Sequence, residues 1–421
     1  MKRFLSCLLI LSALLAGCSA PPQGAPVQKA EEKVTLTVLA GQSTSDAGVQ
    51  EMIDEEILDA FPEVDLEWEV MDWGANFHPQ LQAKFASGEV PDLIIGKAQD
   101  VGAYAPSGFL APLPEQMASY VREEGLLGVR HQGTLYGMPY NANYQGVLYN
   151  KNIFWRYGLT VPRTPADLRE IVDKLKEAGV TPFATHFQEN WFAANVFMQF
   201  ASNQTFLQQP TWGDLFREGK VSFSTSTQMQ NALRQVQDLS ENTWGDAQTI
   251  DQAESDKRFI QEKAAMYVTG SWSMQPVEAL APSMQVGIFP YPNDTGDAKL
   301  LFEPNLTFMK GVNTAHSELA DRILTFLFQD KDLAESICNF TQTAPLLRDV
   351  PARYPALLAQ DVQSYRDSGR IADVTVGNNQ IGWSFQDGFA AQINNWVVGK
   401  TDFAAVLGWA DQNRADSRSI V

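Results

Sequence analysis

The sequence predicts an α/β fold divided into more than one lobe, and three observations carry that expectation. Residues 34–95 alternate strand and helix patterns in the order of parallel crossover units. The chain has 421 residues, 44% hydrophobic and 19% charged, which is enough to bury sizeable cores and long for a single one. Amphipathic helix patterns recur far beyond the first unit, at 165–178 and again at 319–327.

Taken in order, the chain opens with MKRFLSCLLILSALLAGCSA. Lys2 and Arg3 precede a 12-residue apolar stretch from Phe4 to Leu15. As a helix that stretch would span about 18 Å, short of a ~30 Å hydrocarbon core, so it reads as a secretory signal (residues 1–17) rather than a membrane span. Leu15-Ala16-Gly17-Cys18 resembles a bacterial lipobox, which implies that Cys18 is acylated and becomes the first residue of the mature chain. Residues 18–33 mix Pro, Gly, Ala, Gln and charge without periodicity, as a flexible tether does.

The body begins near Val34. VTLTVL at 34–39 and the alternation of Val64, Leu66, Trp68 and Val70 with Asp65, Glu67 and Glu69 are strand patterns, and Leu93-Ile94-Ile95 is a short apolar strand stopped by Gly96. Between them, 48–60 and 75–87 have helical composition. The helix 165–178 is the clearest: Thr164 is placed to cap it, Pro165 opens it, and Gly179 ends it. Further helices are expected at 227–240, 254–263, 315–328 and 386–410, and GVLYN, AAMYV and VGIFP read as short buried strands.

With 31 Lys+Arg against 50 Asp+Glu and a formal net charge of -19, the chain lacks the cationic excess of a nucleic-acid partner. Cys7, Cys18 and Cys338 are too widely spaced for a metal knuckle or a disulfide framework. No phosphate-binding, dinucleotide or nucleophile-elbow motif occurs, the four histidines stand apart from one another, and the Asn293 to Asp297 turn lacks the pattern of a calcium loop. The chain therefore calls for no cofactor and no metal, and no catalytic residue is expected. Cys338 reads as a buried small hydrophobe, and the histidines as surface or capping residues.

Several stretches carry a resemblance: PDLIIGKAQDVGAYAPSGFLAPL at 91–113, the segment 135–183 with YNKNIFWRYGLTVPRT inside it, AAMYVTGSW at 264–272 and VGIFPYP at 286–292. They resemble the extracellular solute-binding proteins of carbohydrate ABC importers, the group that includes maltose-binding protein. The resemblance implies a type II periplasmic-binding-protein-like fold: two lobes, each a mainly parallel sheet flanked by helices, joined by crossing hinge strands. It implies crossings near Ala142, Glu303 and Ala344. Lobe one would hold 34–142 and 304–345, and lobe two 143–303 and 346–421. The expected partners are a sugar or oligosaccharide held between the lobes and the permease subunits that receive it. The receptor would be monomeric and held outside the cytoplasm by the lipid on Cys18. Gly96 stands where maltose-binding protein has a tryptophan, which argues against maltose itself.

Sugars present apolar C–H faces and rings of hydroxyls, so their sites combine flat aromatics with planar amides and carboxylates. By resemblance, Trp272 and Trp383 match stacking platforms, with core packing as the alternative. Trp191, in what reads as a polar loop, matches no motif but could stack. Asn143, on the crossing segment, is a hydrogen-bonding candidate or an Asx-turn residue, and Tyr144 beside it stacks or packs. Gln99 and Asp100 follow a buried strand at the carboxyl end of a parallel sheet, where ligands bind. Gln42 and Ser43 hold the equivalent rim after the first strand, Ser43 being also a candidate helix cap. Glu303 and Asn305 complete the set at the return crossing. Lys97 reads as a solvated charge or a contact for an acidic sugar. The alternative functions are a receptor for a peptide, polyamine or anion, or a secreted carbohydrate-active enzyme.

Overall fold

The computed structural model describes residues 33–42, 47–72, 77–351 and 356–417. The signal segment and Cys18 lie outside them. Strand β1 (Val34–Gln42) pairs in parallel with β2 (Val64–Asp72) and with β3 (Leu93–Gly96). Helices α1 (Ala47–Ala60) and α2 (Phe77–Ser87) lie in the connections, as the alternating patterns predict. Leu36, Val38, Ile53, Ile57, Leu93 and Ile94 bury one core between them. Helix α3 (Ala98–Tyr104) leaves the end of β3, and the short β4 (Leu110–Ala111) follows.

Strand β5 (Gly137–Asn150) then runs for 14 residues, all of them buried. At about 3.3 Å per residue it extends roughly 45 Å, long enough to belong to two packed bodies. Helix α4 (Pro165–Glu177), β6 (Thr181–Ala184), α5 (Asn190–Ala201), β7 (Ala264–Gly270), β8 (Val286–Phe289), β9 (Leu300–Gly311), β10 (Ala344–Pro345) and β11 (Ile371–Asp373) complete the elements that place the site. Among the described residues they form one eleven-stranded sheet whose main path is β2-β1-β3-β9-β5-β7-β6.

Four strands share β5 along its two edges. On one edge β9 pairs with residues 137–145 and β8 continues along 147–150; on the other β10 pairs with 141–142 and β7 with 145–149. Ala142 is thus flanked by Pro304 on β9 and by Ala344 on β10, so three passages of the chain lie side by side at one residue. In β9, Leu306 has φ 42°, a left-handed value that a branched side chain adopts at a cost of about 1–2 kcal/mol. The strain sits two residues from Pro304, at the same crossing.

The expected helix at 165–178 is capped as its sequence requires. Thr164 Oγ1 accepts from the Asp167 N–H at 3.2 Å, and Asp167 Oδ2 accepts from the Thr164 N–H at 2.9 Å. Its apolar stripe Leu168, Ile171, Val172 and Leu175 is buried. Two expectations are corrected. The single helix expected over 386–410 is two, Trp383–Val397 and Phe403–Gln412, because Gly399 at φ 74° turns the chain between them. Trp191 reads as part of a polar loop but stands in α5, because nine of the twelve residues 190–201 are Ala, Val, Phe, Met or Trp at positions that bury almost the whole helix. Cys338 is buried as expected, and burial pushes its thiol up to about 12.

Leu175, the last residue of the apolar stripe on α4, is fully buried. Leu175→Ala is expected to lower unfolding free energy by about 2–5 kcal/mol, measured by denaturant unfolding, without changing the far-UV spectrum.

Candidate functional site

The site grows from the alternation of side chains along β5. Asn141, Asn143 and Gln145 occupy one face, while Tyr140, Ala142 and Tyr144 occupy the other. Across the ladder, Glu303 lies opposite Asn143 and Asn305 opposite Asn141, so five polar side chains line one face of the crossing. Except for half-buried Asn305 they are withdrawn from solvent.

Glu303 is the centre of this face. Its Oε1 accepts from Lys97 Nζ at 3.0 Å and from Gln99 Nε2 at 3.5 Å, while Oε2 accepts from Gln145 Nε2 at 2.8 Å. The glutamate side chain is 4% exposed and the lysine 24%, so the pair is shielded and each group depends on the other. Lys97 comes from the β3–α3 junction, Glu303 from β9 and Gln145 from β5. The chain of bonds continues: Asn195 Nδ2 donates to Gln145 Oε1 at 3.3 Å, and Gln199 Nε2 donates to Asn195 Oδ1 at 2.8 Å. Asn143 Oδ1 accepts from Ser271 Oγ at 3.1 Å, and the same hydroxyl accepts from the Tyr144 N–H. Asp373, on β11 opposite Phe302, is a further carboxyl near the crossing, its Oδ1 accepting from the Thr375 N–H at 2.7 Å. Burial pushes it up to about 6, and the Glu303 charge acts in the same direction.

The aromatics join this face from β7 and α5. Gly270 pairs with Gln145, and two residues on stands Trp272, whose ring lies over Gly270 so closely that any side chain there would overlap it. Trp191 meets Trp272 edge to face, with ring centroids 6.5 Å apart. Trp191, Asn195 and Gln199 are spaced i, i+4, i+8 on α5, so one helix face presents a ring and two amides toward β5 and β7. Behind Trp191, His186 is fully buried, 5.0 Å from the indole, and its Nδ1 is 2.7 Å from Glu189 Oε2. Burial lowers the His186 pKa against the pull of Glu189. Asp256 lies buried beside Tyr267 in the same layer, and desolvation pushes its carboxyl up to about 7.

Several polar atoms in this region are buried without a hydrogen-bond partner in the structure: Trp272 Nε1, Gln99 Oε1 and both amide atoms of Asn141. Buried polar atoms carry a cost unless something bonds them. They are therefore the groups through which a polar ligand would gain most.

Of the residues predicted from sequence, Asn143, Glu303 and Gln99 meet at the crossing, with Asn305 on the same face, and Trp191 and Trp272 meet each other. Tyr144 does not join them. It points to the opposite face, fully buried against Phe302, where its hydroxyl accepts from Arg366 Nη2 at 2.8 Å. Asp100 is occupied locally, its Oδ2 accepting from the Lys97 N–H at 2.8 Å to cap α3. Gly96 is explained by that cap, since a Cβ there would lie 2.6 Å from Asp100 Oδ2 and 2.8 Å from Met309. Trp383 is the first residue of its helix and Gln42 the last of β1; the described side chains include neither, and Ser43 lies outside the described residues. Lys97 is an ion-pair partner rather than a solvated charge, and His186 is buried rather than a surface residue.

Sequence reasoning missed Asn141, Gln145, Asn195 and Asp373. The first two carried a signal in NANYQ, where polar residues recur every second position. Asn195 shares the W-x-x-x-N-x-x-x-Q stripe, invisible while the segment is read as a loop. Asp373 carried none.

The comparisons with known proteins decide the family. Residues 40–334 match the family model of the bacterial extracellular solute-binding proteins. The chain belongs to that family. The "Multiple sugar-binding protein" of Streptococcus mutans is 23% identical over 340 residues, covering 76% of each chain. Among solved structures, a chitin oligosaccharide binding protein superimposes with a TM-score of 0.80 at 16% identity, over 92% of this chain and 99% of that one. A solute-binding protein named RafE, in complex with raffinose, gives 0.76 at 16% identity over 91% and 100%. The fold is thus the two-lobed α/β fold of this family. Membership places the solute-binding protein outside the cytoplasm. Among the described residues no helix is long and apolar enough to cross a membrane, and no group of His, Cys, Asp and Glu could hold a metal ion.

The Asp256 shift makes a signed prediction. Its folded pKa lies above the unfolded value, so the wild type holds a proton there that the unfolded chain releases between about pH 4 and 7, and stability is lost as pH rises through that window. Asp256→Asn is expected to raise the thermal midpoint over wild type by more at pH 8 than at pH 5, measured by calorimetry. An equal difference at both values would mean that Asp256 is ionised in the folded protein at both.

Proposed function

We propose that this protein is an extracytoplasmic receptor that captures a neutral or near-neutral sugar, most simply an oligosaccharide, between its two lobes and delivers it to an ABC importer. The observation that carries the reading is the meeting of two indoles with a row of buried amides and a carboxylate at the crossing strands. Indole faces suit the C–H faces of pyranose rings, and amide and carboxylate groups suit paired hydroxyls. The sugars named for the similar proteins, raffinose and chitin oligosaccharide among them, support the same class.

Lobe one then comprises 34–142 and 304–345, and lobe two 143–303 and 346–421. The pairing of Ala142 with both Pro304 and Ala344 supports hinges at these positions. Trp272, Trp191, Asn143, Gln145, Glu303, Asn195 and Gln99 form the binding face, with Asn305 at its rim. Trp383 joins it if the start of its helix faces the cleft. Ligand favours the closed form by the difference in its affinity for closed over open, and the permease reads that form. The role is binding and delivery without bond cleavage. Cys18 carries the lipid that holds the receptor at a membrane, several acyl chains giving stable anchorage at about 0.8 kcal/mol per buried CH₂.

The function is tested by calorimetric titration and thermal shift of residues 34–421 against raffinose, stachyose, maltotriose and chitotriose, with amino acids, polyamines and peptides as controls. Ligand at 100 times its Kd adds about 2.7 kcal/mol of stability. A saturable response to one sugar class is expected; a response only to a charged or peptide ligand would replace the substrate assignment. Trp272→Ala is expected to weaken binding by about 1–3 kcal/mol with the fold intact, and unchanged affinity in the folded variant would remove Trp272 from the site. For the anchor, Cys18→Ala is expected to move the protein from the membrane fraction to the soluble fraction, and continued membrane association would contradict it.

A further inference from the structure

Trp191 stands in the first turn of α5, where a helix is least held by its own hydrogen bonds. Glu189 occupies the N-cap position there, yet its side chain makes no capping bond to α5. Its Oε2 reaches sideways instead, 2.7 Å from His186 Nδ1, and accepts at 2.8 Å from the N–H of Gln252, the first residue of the helix Gln252–Ile260. A carboxylate only accepts, so Nδ1 carries the proton between the two side chains. His186 is itself fixed from both sides: the Thr185 carbonyl accepts from Trp244 Nε1 at 3.1 Å, and the Phe187 N–H donates to the Ala247 carbonyl at 2.8 Å. Its ring is fully buried, with Nε2 left without a hydrogen-bond partner in the structure. A phenylalanine would fill that layer without this cost, and what the imidazole adds is the Nδ1 bond to Glu189. The same ring packs against the Trp191 indole with centroids 5.0 Å apart, and that indole meets Trp272 at 6.5 Å.

We infer that His186 and Glu189 are positioning residues for the aromatic platform: they hold the first turn of α5, and with it the Trp191 indole, in the setting it presents to the sugar. The inference rests on the receptor reading above, with Trp191 on the binding face, and adds two residues that act through that indole. The pair joins three pieces of chain that lie far apart in sequence or in different elements, the loop at 185–187, the start of α5 and the start of the helix Gln252–Ile260. A ring fixed before the ligand arrives contributes its stacking in full. A ring in a loose first turn must be ordered on binding, and part of the stacking energy is lost to that ordering.

The test titrates a sugar of the panel that binds into wild type, Glu189→Ala, Glu189→Gln and His186→Leu, each also in a Trp191→Ala background. A second readout needs no ligand: the near-ultraviolet circular dichroism that Trp191→Phe removes from the wild-type spectrum reports the setting of this indole. Glu189→Ala and His186→Leu are each expected to weaken binding about fivefold or more and to shrink that signal. Glu189→Gln, whose amide oxygen can still accept both N–H bonds, is expected to stay within about twofold of wild type and to keep the signal. His186→Leu serves if Glu189→Ala does not fold. In the Trp191→Ala background the same changes are expected to weaken binding no further, because no indole is left to position. Leu175→Ala, which lowers stability through the core of α4, is expected to leave affinity and signal unchanged. Equal losses with and without Trp191, unchanged affinity in the folded variants, a loss in Glu189→Gln as large as in Glu189→Ala, or a comparable loss in Leu175→Ala would each overturn the inference. Unchanged affinity in Trp191→Ala itself would overturn it by removing Trp191 from the binding face. Failure of every sugar to bind the wild type would overturn the receptor reading and this inference with it, a result distinct from all of these.

Discussion

A carboxylate held away from water costs several kcal/mol unless a cation and hydrogen-bond donors meet it, and Glu303 is such a carboxylate at the point where the chain crosses between its two halves. Its three donors come from different elements: Lys97 and Gln99 from the end of β3 and the start of α3, Gln145 from the middle of β5. Asn195 and Gln199 extend the same chain of bonds to α5. Removing any one partner leaves the carboxylate short of a bond, so the geometry of the crossing, the position of α3 and the placement of α5 are mutually dependent.

That dependence suits a molecule that opens and closes. Strand β5 belongs to both halves of the sheet and supplies the fixed reference, while β9 and β10 cross beside it at Ala142. The strained Leu306 lies in the same short stretch, at the position where the proposed hinge would take up a change of backbone dihedral angles. On the proposed division, a ligand that bonds Gln99 from lobe one together with Glu303, Gln145 or the tryptophans from lobe two would touch both halves at once. Its binding energy would then favour the arrangement in which those elements are close.

Much of the architecture was legible because it follows from local pattern. The alternation at 64–70, the apolar run at 93–95 and the cap at Thr164 each depend on residues near in sequence, and each appears where expected. The site was legible only in part. Asn143, Glu303 and Trp272 could be singled out through the resemblance, but the partner of Glu303 could not, because Lys97 lies 206 positions away and meets it only through the pairing of β3 with β9. Asp100 and Tyr144 were misleading for the opposite reason. Their residue types suit a sugar, yet a helix cap and a half-buried guanidinium claim their polar atoms first. Trp191 was read in the wrong element because α5 is apolar nearly all round, and a helix buried on every side loses the periodicity that reveals one.

The most direct measurement is a crystal structure of residues 34–421 with the sugar that binds most tightly. The account predicts a pyranose face against Trp272, with sugar hydroxyls within hydrogen-bond distance of Glu303 and of at least one amide among Asn143, Gln145 and Gln99, and with the Lys97–Glu303 pair intact. A sugar bound elsewhere, or bound in this cleft with Glu303 turned away from Lys97 and from the ligand, would contradict it.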